Sequence, residues 1–414
     1  MNSALAALIG VTLSIILILR KVSPVYSLII GALVGGLLAG WGMPTTVAHM
    51  ITGVQDISKA IVRIIAAGVL TGMLVKTGAA ARIAHSIIKA LGERYIYLAL
   101  ALSAMLLTAM GVFIDVAVIT IAPIAIIMGN KLRLPKFNLL LAMIGGGKCG
   151  NILSPNPNTI IAAENFDAPL SSVMGAGIVP ALIGLVVTVF VIIPLMPQGE
   201  LMETEVVEAK EEKLPSLWRS LLGPIVTILL LALRPIANIV IDPMIALPIG
   251  GVIGIIATGN WKNMGTCLGY GLEKMSGIAI LLVGTGALAG VIQASDIKEV
   301  LVGLLSNWEN GGTLMAPIAG ALMSAASAST TAGATIASAS FADAIMAAGV
   351  TAIWGAAMVN AGATVLDHLP HGSFFHATGG AMSFSVKERL KLIPYESLVG
   401  LILTIGSVGM CFLT

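Results

Sequence analysis

The chain has 414 residues, 57% of them hydrophobic and 10% charged, with a mean hydropathy of +1.01 and a net charge of +2. A soluble domain carries about 25% charged residues, so this composition excludes an ordinary soluble fold and describes a polytopic helical membrane protein. The small net charge, with no basic tail, gives no reason to expect a nucleic-acid partner. The cysteines, Cys149, Cys267 and Cys411, form no CxxC pair, so neither a disulfide framework nor a metal site is implied.

Runs of about 17–25 apolar residues mark spans. In the first half they fall at 3–20, 25–43, 57–77, 96–128, 137–165 and 172–197. The first run meets Arg20-Lys21 without a small-residue cleavage site, so it reads as a retained span and not a signal peptide. Residues 198–216, with ETEVVEAKEEK at 203–213, form a charge-dense linker at the halfway mark. The second half gives 217–238, 243–258, 275–294, 312–346, 351–378 and 395–413.

The halves overlay in order. Ser23–Trp41 matches Asp242–Trp261, residues 69–80 lie over 287–298, and 151–158 lie over 364–371, with Leu153 on Leu366 and Pro157 on Pro370. The expected architecture is therefore all-α. It has two inverted repeats, 1–197 and 217–414, each of about five spanning helices plus one re-entrant helical hairpin (103–128 and 316–342), with helices broken at the membrane midplane. Scaffold and transport domains would each draw on both repeats. With the N-terminus outside, 17 of the 22 basic residues face the cytoplasm and Lys298 faces outward, as the positive-inside rule requires. Both termini are then expected in the periplasm.

Four polar constellations interrupt the apolar pattern. Asp115, in GVFID (111–115), lies inside the first hairpin. An intramembrane carboxylate is a functional candidate, and helix capping is the competing and compatible reading. The second is GGGKCGNILSPNPNT (145–159). Pro155 and Pro157 each remove a backbone donor, and irregular backbone at membrane depth is tolerated only inside protein or beside a wet cavity. Ser154–Asn158 therefore reads as a break, with Asn151, Ser154, Asn156, Asn158 and Thr159 offering neutral donors and acceptors. The half-helix beginning near Asn158 would present free N–H groups suited to a carboxylate. Lys148 is read as snorkelling or as a structural ion pair in preference to a substrate counter-charge.

The third, Ser324–Thr335, is rich in small hydroxyl residues. Its Ser327, Ser329, Thr330 and Thr331 suit a hairpin tip that closes on substrate, although Ser, Ala and Gly also mark close helix packing. The fourth is Asp367-His368-Leu369-Pro370-His371-Gly372-Ser373. A carboxylate with two histidines makes Asp367, His368 and His371 the proton-relay candidates, and Ser373 adds a hydroxyl to the substrate-binding set. Their spacing is not a standard metal-ligand spacing, and no cofactor is expected.

At these residues the chain resembles the gluconate permease (GntP) family, within the ion transporter superfamily. The resemblance is carried by LSIILILRKVSPVYSLIIGALVGGLLAG (13–40), GVLTGMLVKTGAAARIAHSII (68–88), GVFIDVAVITIAPIAI (111–126), PNPNTIIAA (155–163), VLDHLPHGSFF (365–375) and SFSVKERLKLIPYESLVGL (383–401). It implies secondary transport of small carboxylates such as gluconate with protons, a homodimer, and a bacterial inner membrane. It carries functional weight onto Asp115, the Pro155/Pro157 break and His368. Two departures fall at the breaks. Asn156 stands where gluconate-type members have a histidine in a PPHPGP-like run, and Pro370-His371-Gly372-Ser373 stands where they have Asn-Asp followed by Ser-Gly. Sodium coupling through Asn, Ser and Thr oxygens is the rival mechanism. An uncoupled channel or scaffold is the rival of another class, and no nucleophile–base pair points to an enzyme.

Overall fold

The computed structural model describes residues 2–196, 201–202, 214–237, 239–296, 300, 311–370 and 372–414. His371, Lys298 and most of the expected linker 198–216 lie outside the described residues. What is described is helical; an isolated Pro135–Leu201 bridge is the one β-type pairing found among these residues.

The amino-terminal helices are α1 (Ser3–Leu19), α2 (Pro24–Leu38), α3 (Gly42–Asp56), α4 (Ser58–Lys76) and α5 (Ala79–Leu91). Asn2 caps α1, accepting from the Ala4 N–H at 2.9 Å. The expected span 25–43 stops at Leu38, because Gly40 and Gly42 take positive φ and turn the chain into α3. The basic, amphipathic α5 lies between Gly78 and Gly92, and its axis is bent 108° from the helix that follows.

Next come α6 (Ile96–Ala109) and α7 (Ile114–Leu132), joined by the four residues Met110–Phe113. The helix α8 (Lys136–Asn151) ends in the irregular segment 152–156, and α9 (Pro157–Asn165) resumes with Pro157 at its first position. The expected break thus sits where the prolines put it. The preceding glycines are helical and serve packing. A Cβ on Gly146 would lie 2.0 Å from the Ala101 carbonyl oxygen, so only glycine lets α8 approach α6. From Phe137 to Asn151 every residue of α8 is buried, which explains an apolar pattern with no exposed face. A single span, Leu170–Leu195, follows; it contains α10 (Leu170–Ala176), α11 (Ile178–Val187), a π turn at 188–192, and α12 (Ile193–Leu195).

The second half also carries a helix pair followed by a broken helix. It has α13 (Leu217–Ala237), α14 (Pro243–Ala257), capped by Asp242, and α15 (Met264–Gln293). The span expected at 275–294 therefore begins at Met264, which places Lys274 inside the helix and not at its edge. A second helix pair, α16 (Gly311–Ser327) and α17 (Thr330–Ala347), turns at Ala328-Ser329. A second broken helix follows, α18 (Ala352–Gly362) and α19 (Ser373–Ala381), interrupted at 363–372. The chain ends in α20 (Val386–Leu390), opened by a Ser385–Glu388 capping box, and α21 (Ile393–Leu413).

Two packing groups result. One joins α1–α4 with α13–α15. The other gathers both helix pairs and both broken helices around α8 and α18, with α11 and α21 on its flank.

Candidate functional site

Both hairpin tips are set by residues with left-handed backbone. Gly111 (φ 100°) turns the first, and its carbonyl accepts a 3.0 Å bond from the Thr71 hydroxyl of α4. Ala328 (φ 47°) turns the second, a conformation unfavourable for alanine. Ser329 then caps α17, accepting from the Ala332 N–H at 3.2 Å. A Cβ on Gly372 would come within 2.4 Å of the Ala328 carbonyl, so the second tip rests directly on the second break.

The first break is tied internally. Asn156 donates to Asn151 Oδ1 at 2.7 Å, Ser154 donates to the Asn151 carbonyl at 2.8 Å, and Asn158 donates to Asn360 Oδ1 at 2.8 Å. Asn360 of α18 donates in turn to Thr159 Oγ1 at 3.0 Å. The two broken helices are thereby bonded to each other. Asn156 Oδ1 is buried and has no hydrogen-bond partner among the described residues.

The second break holds a buried ionic network. Lys148, fully inaccessible, donates to the Thr364 carbonyl at 2.5 Å, to Asp367 Oδ1 at 2.6 Å and to His368 Nδ1 at 3.0 Å. Those are three acceptors for the three N–H groups of an ammonium. The charge is neither snorkelling nor free to meet a ligand; it is a structural ion pair. Asp367 also accepts from Thr330 at the second tip, at 2.5 Å. His368 Nε2 lies 3.1 Å from the Ile393 carbonyl, which can only accept, so the partners place a hydrogen on Nε2, while Nδ1 faces both the Lys148 ammonium and, at 3.0 Å, the Asp367 carboxylate. Behind His368, Arg389 and Glu396 form a buried pair, 3.1 Å between Nη2 and Oε2, and Arg389 also donates to Thr378 of α19 at 3.1 Å.

A cavity of about 260 Å³ opens where these parts meet. Asp115 and Ile114 enter it from the start of α7, Asn151 from the first break, Ser329–Thr331 from the second tip, and Asp367 and Ser373 from the second break. Lys274 and Ile278 of α15 close the remaining side. Of the residues singled out from the sequence, Asn151, Ser329, Thr330, Thr331, Ser373, Asp115 and Asp367 line this cavity. Ser154, Asn156, Asn158 and Thr159 lie behind it in the inter-helix hydrogen-bond network. Ser327 turns back to the Met323 carbonyl at 2.8 Å. His368 stands behind Asp367, at 3.0 Å from it.

A second cavity, about 320 Å³, lies toward the other end of α15, between Ala289 and Gln293. Asp56, Lys59, Glu164, Asp167 and Asp343 line it, together with the middle of α17. At 1.5 Å rise per residue, the fifteen residues from Lys274 to Ala289 set the two α15 surfaces roughly 22 Å apart. Near the second cavity Arg63 of α4 bridges Glu164 of α9 and Asp242, the latter at 2.6 Å.

Sequence reasoning missed Lys274, Asn360, Arg389, Glu396 and Thr378. Glu396 and Asn360, polar groups inside apolar runs, carried a signal of the kind used for Asp115. Lys274 carried none until the start of α15 was known.

The chain matches known proteins over nearly its whole length. The family model described as GntP family permease matches residues 3–414. An uncharacterized transporter of Haemophilus influenzae is 53% identical over 406 residues, covering 98% of this chain and 97% of that protein. A high-affinity gluconate transporter of Escherichia coli is 23% identical over 434 residues, covering 96% of each. Among solved structures, the YdaH transporter of Alcanivorax borkumensis is similar in fold, with a TM-score of 0.59 at 13% identity over 87% of each chain.

Proposed function

The chain belongs to the GntP family of permeases and is a multi-pass membrane transporter; on that premise we propose that it imports a small hydroxycarboxylate, such as a sugar acid, together with a proton by alternating access. The observation that carries the reading is the 260 Å³ cavity, where two helix-pair tips and two helix breaks converge and whose wall includes Asp367, the front of the buried Lys148–Asp367–His368 network. The hydroxyls of Ser329–Thr331 and the amide of Asn151 bond the substrate's hydroxyls. The starts of α7 and α17 point the partial positive charge of a helix N-terminus toward its carboxylate.

Proton coupling rests on the same network. In the observed arrangement Lys148 and Asp367 offset each other, as do Arg389 and Glu396, and a neutral His368 adds no charge, with its Nδ1 3.0 Å from Asp367 Oδ1, the oxygen to which a proton on Nδ1 would be donated. One proton added at His368 gives the group one net positive charge, which offsets one substrate carboxylate. Because Thr330 bonds Asp367, a change at His368 reaches the tip that covers the substrate. The second cavity supports two-sided access, since α17 runs from Thr330 at one cavity to Ser338–Ala344 at the other. The excess of basic residues on one side supports an inner-membrane orientation with both termini periplasmic.

Sodium coupling is the second reading, and one observation favours it: the buried, unpartnered Asn156 Oδ1 at the first break is an oxygen of the type that coordinates a hard cation. Substrate class is tested by counterflow in proteoliposomes loaded in turn with gluconate, idonate or D-serine, with the same compound labelled outside. Saturable exchange of the sugar acids supports the proposal. Exchange of D-serine alone, or linear unsaturable flux, contradicts it.

A further inference from the structure

We propose that Lys274 is the carboxylate-recognising cation of the cavity, and that it acts from α15, outside the broken helices and tips that hold the rest of the substrate; this rests on the acid-transport reading above. An anion drawn into a half-enclosed, low-dielectric site needs a counter-charge. Among the described residues lining the 260 Å³ cavity, three side chains are ionisable: Asp115, Asp367 and Lys274. The ammonium behind Asp367, that of Lys148, is inaccessible and already has three acceptors, so it cannot reach a ligand. Lys274 is half-buried and forms no ion pair among the described residues. Asp115 does not engage it within salt-bridge distance; its Oδ1 instead accepts from the Val116 N–H at 2.9 Å.

The lysine is also positioned. Tyr270, one helical turn before it, lies under two ammonium groups, with Lys274 5.6 Å and Lys76 4.6 Å from the ring centroid. Lys76, at the exposed end of α4, and Lys274, in the cavity wall, thus share one ring. They form a two-step cationic path from the surface to the site. The tips offer hydroxyls and helix N-termini to the substrate, and α15 offers the full charge. A substrate held this way bridges the two packing groups, so its carboxylate is read in this conformation by a residue that the broken helices do not carry.

The test uses the full-length protein and labelled gluconate. In proteoliposomes, Lys274→Gln is expected to raise the half-saturation concentration about tenfold or more, the weight of a lost charge-assisted contact. Lys274→Arg is expected to stay within about threefold of wild type, and Lys262→Gln, in the turn before α15, to leave it unchanged. A merely structural lysine would alter yield or maximal rate without that split. Separately, in detergent and without any transport, gluconate is expected to slow acylation of wild-type Lys274 by an amine-reactive ester, read by peptide mass spectrometry, and to leave Lys262 labelling alone. Unprotected Lys274, or a wild-type half-saturation in Lys274→Gln, overturns the inference even if gluconate is transported. Protection of Lys274 in a protein that binds gluconate but does not exchange it sinks the transport reading and leaves the inference standing.

Discussion

Lys148 and Asp367 allow the sharpest energetic prediction. Both are inaccessible, and they meet at 2.6 Å although 219 positions apart in sequence. Breaking a buried pair by removing one partner costs about 3–5 kcal/mol, because the remaining charge is left uncompensated. Lys148→Met strands Asp367 without a cation, beside the Thr330 hydroxyl and the His368 ring; Asp367→Leu strands an ammonium between a carbonyl and an imidazole. Simple addition of the two costs gives about 6–10 kcal/mol for the double variant. Replacing both with apolar groups removes the stranded charge and leaves mainly His368 Nδ1 without a partner, a cost of about 1–3 kcal/mol. The coupling energy is therefore expected to be at least ~3 kcal/mol. Reversible unfolding in mixed micelles, titrated with a denaturing detergent across wild type, both single variants and the double, measures it. Costs that add to within about 0.5 kcal/mol would show that the two side chains are energetically independent, and the network description would be wrong. The double variant is also expected to be folded but inactive, which separates the network's role in transport from its role in stability.

Three further outcomes follow from particular contacts. Gly146→Ala places a methyl 2.0 Å from the Ala101 carbonyl oxygen and should destabilise the protein by about 1–3 kcal/mol, seen as a lower detergent concentration at half-unfolding. Glu164→Gln removes one acidic partner of Arg63 and loosens the tie between α4 and α9; hydrogen exchange in α9 should rise while cavity residues Ser329–Thr331 keep wild-type protection. Asp242, in the loop before α14, has its carboxyl held below the usual range, chiefly by its hydrogen bond to Arg63. A depressed value means the carboxylate adds stability above the ordinary Asp range and loses it as pH falls through the lowered value. Asp242→Asn should accordingly be less stable than wild type at neutral pH, by a small margin given its exposure, and the two unfolding curves should converge in strong acid.

The positions of the breaks and tips were legible because proline, glycine and clustered hydroxyls contradict the apolar pattern around them. SPNPN announced a helix end that Pro157 then fixed, and the Ser/Thr run announced the turn at Ala328-Ser329. Asp115 and Asp367 stood out as charges at membrane depth. What could not be read was which polar groups face the cavity and which face each other. Asn156, Asn158 and Thr159 look like ligands in one dimension, yet Asn151 and Asn360 occupy them, and Asn360 comes from 200 residues away. Lys148 was read as snorkelling or as a structural ion pair in preference to a counter-charge; burial removes the snorkelling alternative, and its partner depended on the packing of one half against the other. Lys274 was assigned to the membrane edge because apolar composition marks where a span is greasy and not where its helix begins. At 30 residues α15 exceeds the roughly 20 needed to cross a bilayer, and the excess put a lysine where a surface residue was expected.

Proton coupling at the second break is the central element of the proposed transport cycle. Its most direct test is uptake of labelled gluconate into proteoliposomes under an imposed proton or sodium gradient, with wild type beside His368→Ala and Asp367→Asn, each recovered as folded protein. Uphill uptake driven by acid outside, indifferent to sodium and lost in both variants, is the expected result. Uptake driven by sodium alone, with both variants active, would contradict it and move the coupling site to the oxygens around Asn151 and Asn156.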